Sequence, residues 1–146
     1  MKLVALALML SLVLLAVAPA SRTPVSAQPL PIACPNYVPF STTASLQLVA
    51  ASANSNRWIG VCAWVVVAGA AEIFSLVEGK GTACATQPEA VIGSSTTANG
   101  LSLAANGVLS LIYGAPFVRT TYDDNNLCIA KNGSNRISGY LAWVRM

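Results

Sequence analysis

The chain has 146 residues, of which 55% are hydrophobic and 9% are charged, and its formal net charge is +3. So small a positive charge gives no electrostatic basis for binding nucleic acid or an anionic lipid surface. The sequence contains no histidine, which excludes Ser-His-Asp and Cys-His catalytic sets and imidazole metal ligands.

Residues 1–27 have the pattern of a signal peptide. Lys2 gives a positive start, residues 3–18 are uncharged, and Val25-Ser26-Ala27 has the small-x-small pattern of a cleavage site. We expect the mature chain to begin at Gln28, to be secreted or held at the cell surface, and to have no stable membrane insertion after cleavage. An oxidising compartment would then allow the four cysteines to form disulfides.

A retained membrane anchor and a lipoprotein are the two alternatives. The apolar run is shorter than the roughly 20 residues that span a bilayer, and Pro19 and Pro24 interrupt any helical continuation. Lipidation at Cys34 is disfavoured because Pro31-Ile32-Ala33-Cys34 lacks the leucine that usually precedes such a cysteine.

Residues 28–43 are rich in proline and predict an extended arm that Cys34 ties down. From residue 44 onward, short apolar runs alternate with turn clusters, and no window sustains a helical period. These runs predict eight or nine β-strands. They are residues 44–51, 57–68, 71–78, 90–92, 101–103, 108–113, 117–121, 127–131 and 136–145. Close strand spacing predicts one all-β domain over residues 44–146, an antiparallel two-sheet β-sandwich.

The run 57–68 gives the strongest strand signal and is apolar on both faces. Simple alternation assigns four side chains to each face. They are Ile59, Val61, Ala63 and Val65 on one face, and Trp58, Cys62, Trp64 and Val66 on the other. We expect a strand of this kind to be covered on both sides.

A hairpin is predicted farther along the chain. Asn106-Gly107 lies between the apolar runs 101–103 and 108–113, and both residues tolerate positive φ.

Several short segments of the sequence, taken in their order, resemble a family of small jelly-roll-like structural proteins of tailed phages and prophages. The resemblance covers residues 48–144. The segments that carry it are Leu48-Val49-Ala50-Ala51, residues 57–71, residues 78–84, residues 101–107, Phe117-Val118-Arg119-Thr120, Asn126-Leu127-Cys128-Ile129 and Ile137-Ser138-Gly139-Tyr140-Leu141. It implies a jelly-roll fold (tumour-necrosis-factor-like), a virion or decoration role, and a homo-oligomer, a trimer by analogy, or a larger assembly.

The chain departs from this family in two places. It carries an export leader and an arm, and Asp123-Asp124-Asn125-Asn126 stands where a shorter, glycine-containing turn is typical.

Four cysteines allow three disulfide pairings, and the residues alone do not choose among them. The resemblance favours Cys84 with Cys128, since both lie in the shared region, which leaves Cys34 with Cys62. Zinc is not expected, because no C-x2-C pair and no histidine are present.

The carboxylates give no catalytic pair. Glu72 and Glu78 are six residues apart on one strand, hence about 20 Å apart, too far for glycoside hydrolysis. Adjacent Asp123 and Asp124 point to opposite faces of an extended chain. We therefore expect no catalytic residues and no cofactor.

Four residues form a possible ligand surface. Trp58 and Tyr122 are candidates for stacking on a sugar, while Asp123 and Asp124 could offer oxygen ligands to calcium. The alternative for the aspartates is an ordinary polar turn, where Asp and Asn are common; with too few ligands for calcium, no metal site is expected.

Three functions are compatible with these features. The first is a non-catalytic, secreted structural β-sandwich that self-associates or decorates a larger surface. The second is a recognition module that binds a glycan or a cell-surface partner through its loops. The third, a small secreted enzyme, requires a cleft with converging carboxylates.

Overall fold

Ten β-strands make up almost all the regular structure of residues 33–52 and 56–146, which this computed structural model describes. They are β1 (Asn36–Thr42), β2 (Leu46–Val49), β3 (Ile59–Ala68), β4 (Glu72–Lys80), β5 (Thr86–Ile92), β6 (Leu101–Leu103), β7 (Val108–Ile112), β8 (Val118–Arg119), β9 (Asn126–Lys131) and β10 (Ile137–Arg145). Two single 3-10 turns, Thr82–Cys84 and Thr97–Asn99, interrupt them. The predicted leader, residues 1–27, lies outside the described residues.

The strands form two antiparallel sheets. Sheet A has the order β1-β10-β3-β7, with β8 also on β3, and sheet B has the order β2-β9-β4-β5, with β6 also on β4. Strands β5 and β6 both pair with β4, and strands β7 and β8 both pair with β3, so each couple can be treated as one interrupted strand. The eight strands that result have the order of a jelly roll. The structure thus confirms the expected all-β, antiparallel two-sheet sandwich.

The core lies between the inner faces of the two sheets. Trp64 of β3 and Phe74 of β4 meet edge to face across it, with ring centroids 5.6 Å apart. Aliphatic side chains of β9 and β10, including Ile129 and Leu141, complete this interior without solvent exposure. Because alternate residues of each strand face inward, the outer faces are left for disulfides, loops and solvent.

A β-bulge at Cys62 changes the predicted faces of β3. Opposite it, Trp143 pairs with Val61 and Ala142 with Ala63, so β3 contains one extra residue. Ile59 and Val61 therefore face the core together with Trp64, Val66 and Ala68. The expected cover on the outer side is partial, because Cys62 and Ala63 are buried whereas Val67 is 41% exposed.

The predicted arm is in part a strand of the sandwich. Residues 36–42 form β1, which pairs with β10 along its whole length, so the domain begins before Asn36 and not at residue 44. Val38 and Phe40 face inward while Tyr37 and Pro39 face outward. Pro39 is compatible with a strand because β1 lies at the sheet edge.

The Asn106-Gly107 turn is present, but it does not make a hairpin. Gly107 N–H donates to the carbonyl of Ala104 at 2.9 Å, and Asn106 has a φ of 60°. The flanking strands then diverge, since β6 pairs with β4 in sheet B and β7 pairs with β3 in sheet A. The hairpin prediction is wrong because each strand pairs better with a long central strand than with its neighbour in sequence.

The two disulfides join Cys34 to Cys62 and Cys84 to Cys128, the pairing that the resemblance favoured. Each closes on the outer side of one sheet. Cys62 lies in a small outer cluster with Ala63 and Ala142 of sheet A, and Cys84 lies with Cys128 on sheet B.

A buried ion pair anchors the connection between β9 and β10. Lys131 Nζ lies 2.6 Å from Glu72 Oε2, and both side chains are 1% exposed. Glu72 also accepts the backbone N–H of Gly133 at 2.8 Å and of Asn135 at 2.9 Å, and Lys131 donates to the carbonyl of Asn135 at 2.7 Å. Glycine at position 133 leaves room for this carboxyl, since a Cβ there would lie 2.6 Å from Glu72 Oε1 and would displace it.

Burial tends to raise the pKa of Glu72, but the hydrogen bonds from Lys131, Gly133 and Ile73 and the Lys131 charge outweigh it and keep the pKa below 4.5. The folded-state pKa is thus lower than the unfolded one. The ionised Glu72 carboxyl therefore stabilises the fold above about pH 4.5, and this stabilisation is lost as the pH falls through the folded-state pKa.

Glu72→Gln should lower the free energy of unfolding by about 3–5 kcal/mol at neutral pH, because it leaves a buried ammonium without its partner. The variant should also lose less stability than the wild type on acidification to about pH 3. Urea denaturation at both pH values measures this. Asp124→Asn, which breaks an exposed ion pair, is the control and should change little. Identical acid dependence in Glu72→Gln and wild type would contradict the assignment.

Candidate functional site

Two surfaces of the sandwich could make contacts with other molecules, and the first is the outer face of sheet A. It is defined by the outward side chains of the four longest strands of sheet A, which the strand register aligns. They are Tyr37, Pro39 and Ser41 of β1, Ser138, Tyr140 and Ala142 of β10, Ala63, Val65 and Val67 of β3, and Val108, Ser110 and Ile112 of β7. No member of this set carries a charge.

Exposed apolar side chains concentrate here. Of the seven large hydrophobic residues that are exposed among the described residues, four belong to this face and one, Tyr113, directly follows it. Within the face itself, the most exposed are Tyr37 at 68%, Ile112 at 60% and Val108 at 59%. Tyr37, Tyr140 and Ile112 line a shallow depression of about 140 Å³ beside the Cys34–Cys62 disulfide.

The size of this face sets what it can do. Four strands about 4.8 Å apart, with five residues of each at about 3.4 Å per residue, cover roughly 330 Å². The largest apolar patch on a monomer is usually of about this size and is often functional. The face covers less than half of the ~800 Å² that each partner contributes to a standard protein interface. The face alone therefore supports a weak contact.

The second surface is a cleft at one end of the sandwich, and the buried side chain of Glu78 shapes it. Glu78 continues the inward-facing series of β4 and is fully buried. Its carboxyl oxygens accept the N–H of Thr121 at 2.6 Å, the N–H of Tyr122 at 3.0 Å and Nδ2 of Asn125 at 3.2 Å. These bonds hold residues 120–125, which connect β8 of sheet A to β9 of sheet B.

Each of the four polar side chains that follow Tyr122 binds a different partner, in residues 51–56 or in residues 78–81. Asp123 accepts the N–H of Asn56, Asp124 pairs with Lys80, and Asn125 binds Glu78. Asn126 accepts the N–H of Ala51 and donates to the carbonyl of Gly81. The side chains thus diverge, which favours the polar-turn interpretation over a shared calcium site.

The cleft has a volume of about 330 Å³, and we call it the rim cleft. Polar side chains and one aromatic ring line it. They are Lys80, Gln87, Glu89, Tyr122, Asp124 and Asn125. Lys80 Nζ lies 2.7 Å from Asp124 Oδ2, and this contact raises the pKa of Lys80 and lowers that of Asp124.

The structure brings together only part of the predicted ligand surface. Tyr122 and Asp124 line the rim cleft, whereas Trp58 and Asp123 do not. The guanidinium of Arg119 lies over the Trp58 ring, 4.8 Å from its centre, and Trp58 Nε1 donates to the carbonyl of Thr121.

Sequence reasoning missed Glu78 and Asn125, which position the wall of the cleft. A signal for Glu78 was present, because a carboxyl at an inward position of an apolar strand requires buried donors. Gln87 and Glu89 could not be found in this way, since the polar stretch around β5 shows little periodicity.

No protein-family model matches the chain, and no curated protein or solved structure matches it either. Within residues 33–52 and 56–146, no helix has the length and apolar character needed to cross a membrane. The same part of the chain contains no group of three or more acidic or cysteine side chains placed to hold a metal ion.

Glu78→Gln should destabilise the cleft wall, because an amide NH2 group replaces one carboxyl oxygen, and an NH2 group cannot accept from a backbone N–H. We expect a loss of about 2–4 kcal/mol in the free energy of unfolding and faster hydrogen exchange at the amides of Thr121 and Tyr122. Glu89→Gln, exposed and directly opposite in the register, is the matched control. Unchanged exchange at both amides would contradict this role of Glu78.

Proposed function

We propose that this protein is a non-catalytic structural β-sandwich that is exported and associates with further copies of itself, or decorates a larger surface, through sheet A. The observation that carries the proposal is the uncharged outer face of sheet A, where exposed apolar side chains concentrate. Burying this face removes apolar area from water, which favours association.

A second copy of the chain is the partner that suits this face. A two-fold contact places a surface against itself, so any charge near the axis meets a like charge. Tyr37, Val67 and Ile112 carry no charge. A hydroxyl group such as that of Ser41 can both donate and accept a hydrogen bond, so two copies of it can pair. The resemblance to phage structural proteins, with its trimer or larger assembly, agrees with this role and stays a proposal.

Two features support export. The N-terminal pattern is that of a signal peptide, and two disulfides with no free cysteine among the described residues are compatible with an extracellular protein.

The carboxyl groups around the rim cleft support a non-catalytic role. Both oxygens of Glu78 already accept hydrogen bonds from the protein. Lys80 lowers the pKa of Asp124, whereas a general acid needs a raised one.

Val67→Lys should weaken self-association, because it places an ammonium within the uncharged face, at an exposed position of the central strand β3. The exported wild type at about 50 µM should have at least twice the monomer mass by light scattering, and the variant should move toward monomer. Leu46→Lys is the matched control, since Leu46 is 36% exposed on sheet B. A monomeric wild type would overturn self-association through this face.

Recognition of a saccharide at the rim cleft is the second candidate function. The exposed Tyr122 ring offers an apolar face beside a polar tip. The amide of Gln87, the carboxyl of Glu89 and the ammonium of Lys80 offer donors and acceptors that match sugar hydroxyls. The cleft volume is at the lower end of the range for small-molecule sites, which suits one or two sugar units.

Tyr122→Ala should reduce binding to any saccharide that the wild type binds on a glycan array by about tenfold or more, because it removes the only aromatic ring among the cleft's lining residues. Tyr37→Ala, which removes a more exposed tyrosine on sheet A (68% against 52% for Tyr122), should leave binding unchanged. An array without saturable binding, or equal loss in both variants, would contradict this function.

A further inference from the structure

One edge of sheet A lacks the features that usually protect a β-sheet edge. Among the described strands, β7 pairs with β3 alone. Residues 108–113 contain no charge, no proline and no glycine, and both Val108 and Ile112 are more than half exposed. An open apolar edge of this kind readily pairs with another strand.

The other edges contrast with β7. The edge strand β1 contains Pro39, and β5 contains Pro88, Glu89 and the positive φ of Gln87. Strand β2 has only four residues and an irregular register, and β6 and β8 have only three and two residues. Proline, charge, short length and irregularity each hinder edge pairing, so β7 is the exception among the described edge strands.

Two hydrogen bonds show which backbone groups of β7 point away from β3. Gly107 accepts from the N–H of Ala68, and Tyr113 N–H donates to Cys62, each at 3.0 Å. Antiparallel ladders use alternate residues of a strand for one neighbour. The odd-numbered residues therefore bond to β3, and the N–H and C=O groups of Val108, Ser110 and Ile112 face outward from the edge.

The sequence of β7 is nearly symmetric about its centre. Val108-Leu109-Ser110-Leu111-Ile112 has one serine flanked by leucines and then by β-branched residues. If two copies pair antiparallel about Ser110, Val108 faces Ile112 of the second copy and Leu109 faces Leu111. β-Branched pairs of this kind stabilise antiparallel sheets.

We infer that β7 pairs with β7 of a second copy, antiparallel and about a two-fold axis at Ser110, so that sheet A continues across both chains. About six hydrogen bonds would form between the chains, two at each pair of outward-facing residues. This inference rests on the proposed self-association and adds an edge contact to it. The two outer faces become one uncharged surface of twice the area, and this surface stays available for the face contact proposed above.

Cross-linking at the axis tests the register directly. Paired residues with mutual hydrogen bonds have Cα atoms about 5.5 Å apart, within the range that a disulfide spans. Exported Ser110→Cys should therefore give a covalent dimer on non-reducing electrophoresis. Ser102→Cys, an exposed serine of β6 on sheet B, is the control and should stay monomeric under the same denaturing conditions.

A second test adds no cysteine and instead introduces one charge, followed by its complement. Val108→Lys should raise the dimer dissociation constant about tenfold or more, because each ammonium replaces an apolar pair at two symmetric places. Adding Ile112→Glu to the same chain should restore association, since the opposite charges then face each other across the axis.

The outcomes separate this inference from the proposed function. A dimeric wild type whose Ser110→Cys variant forms no cross-link, or no more than Ser102→Cys, overturns the β7 pairing and leaves self-association standing. Failure of the double variant to recover also overturns the pairing. A monomeric wild type overturns both, whereas selective cross-linking with charge rescue establishes the two-fold contact.

Discussion

Two buried glutamates on the central strand β4 connect the sheets of this sandwich. Glu72 holds the β9–β10 connection and Glu78 holds the β8–β9 connection, and each accepts backbone N–H groups of a segment that crosses between the sheets. Buried carboxyl groups are costly unless donors surround them. The requirement to satisfy them therefore forces both crossings into one conformation, and the geometry of the rim cleft follows from it.

The two glutamates are satisfied differently. Glu72 has a cation, Lys131, which is itself buried and donates to the same turn. Glu78 has only backbone and amide donors among the described residues. The first arrangement ties stability to the ionisation of a carboxyl, whereas the second depends on the shape of one loop. Both positions lie in an otherwise apolar strand, so a substitution at either is felt at one end of the molecule.

Sheets A and B differ in how their surfaces are used. On sheet B, the outer side is covered at Cys84 and Cys128, and the edge strand β5 carries proline and charge. On sheet A, the Cys34–Cys62 disulfide covers only one end, and Val67 and Val108 are open to solvent. Natural sheets seldom leave an apolar face and an apolar edge together without a partner. This asymmetry is the reason for assigning the contacts to sheet A.

The sequence predicted the fold class well and its details less well. Period-two patterning and close turns are local signals, and they identify strands and a sandwich without knowledge of pairing. The partner of a strand is a long-range property, which is why the Asn106-Gly107 turn predicted a hairpin that does not form. The bulge at Cys62 shifts the alternation of β3 by one residue, and a single extra residue leaves no local signal. Glu78 was visible as an inward carboxyl, but its donors lie more than forty residues away.

The most direct test of the account compares amide hydrogen exchange of the exported wild-type chain at low and high protein concentration. If β7 pairs with β7 of a second copy, exchange at Val108, Ser110 and Ile112 slows as the concentration rises, while exchange along β5 stays the same. Exchange that is independent of concentration at all three residues of β7 would contradict the account.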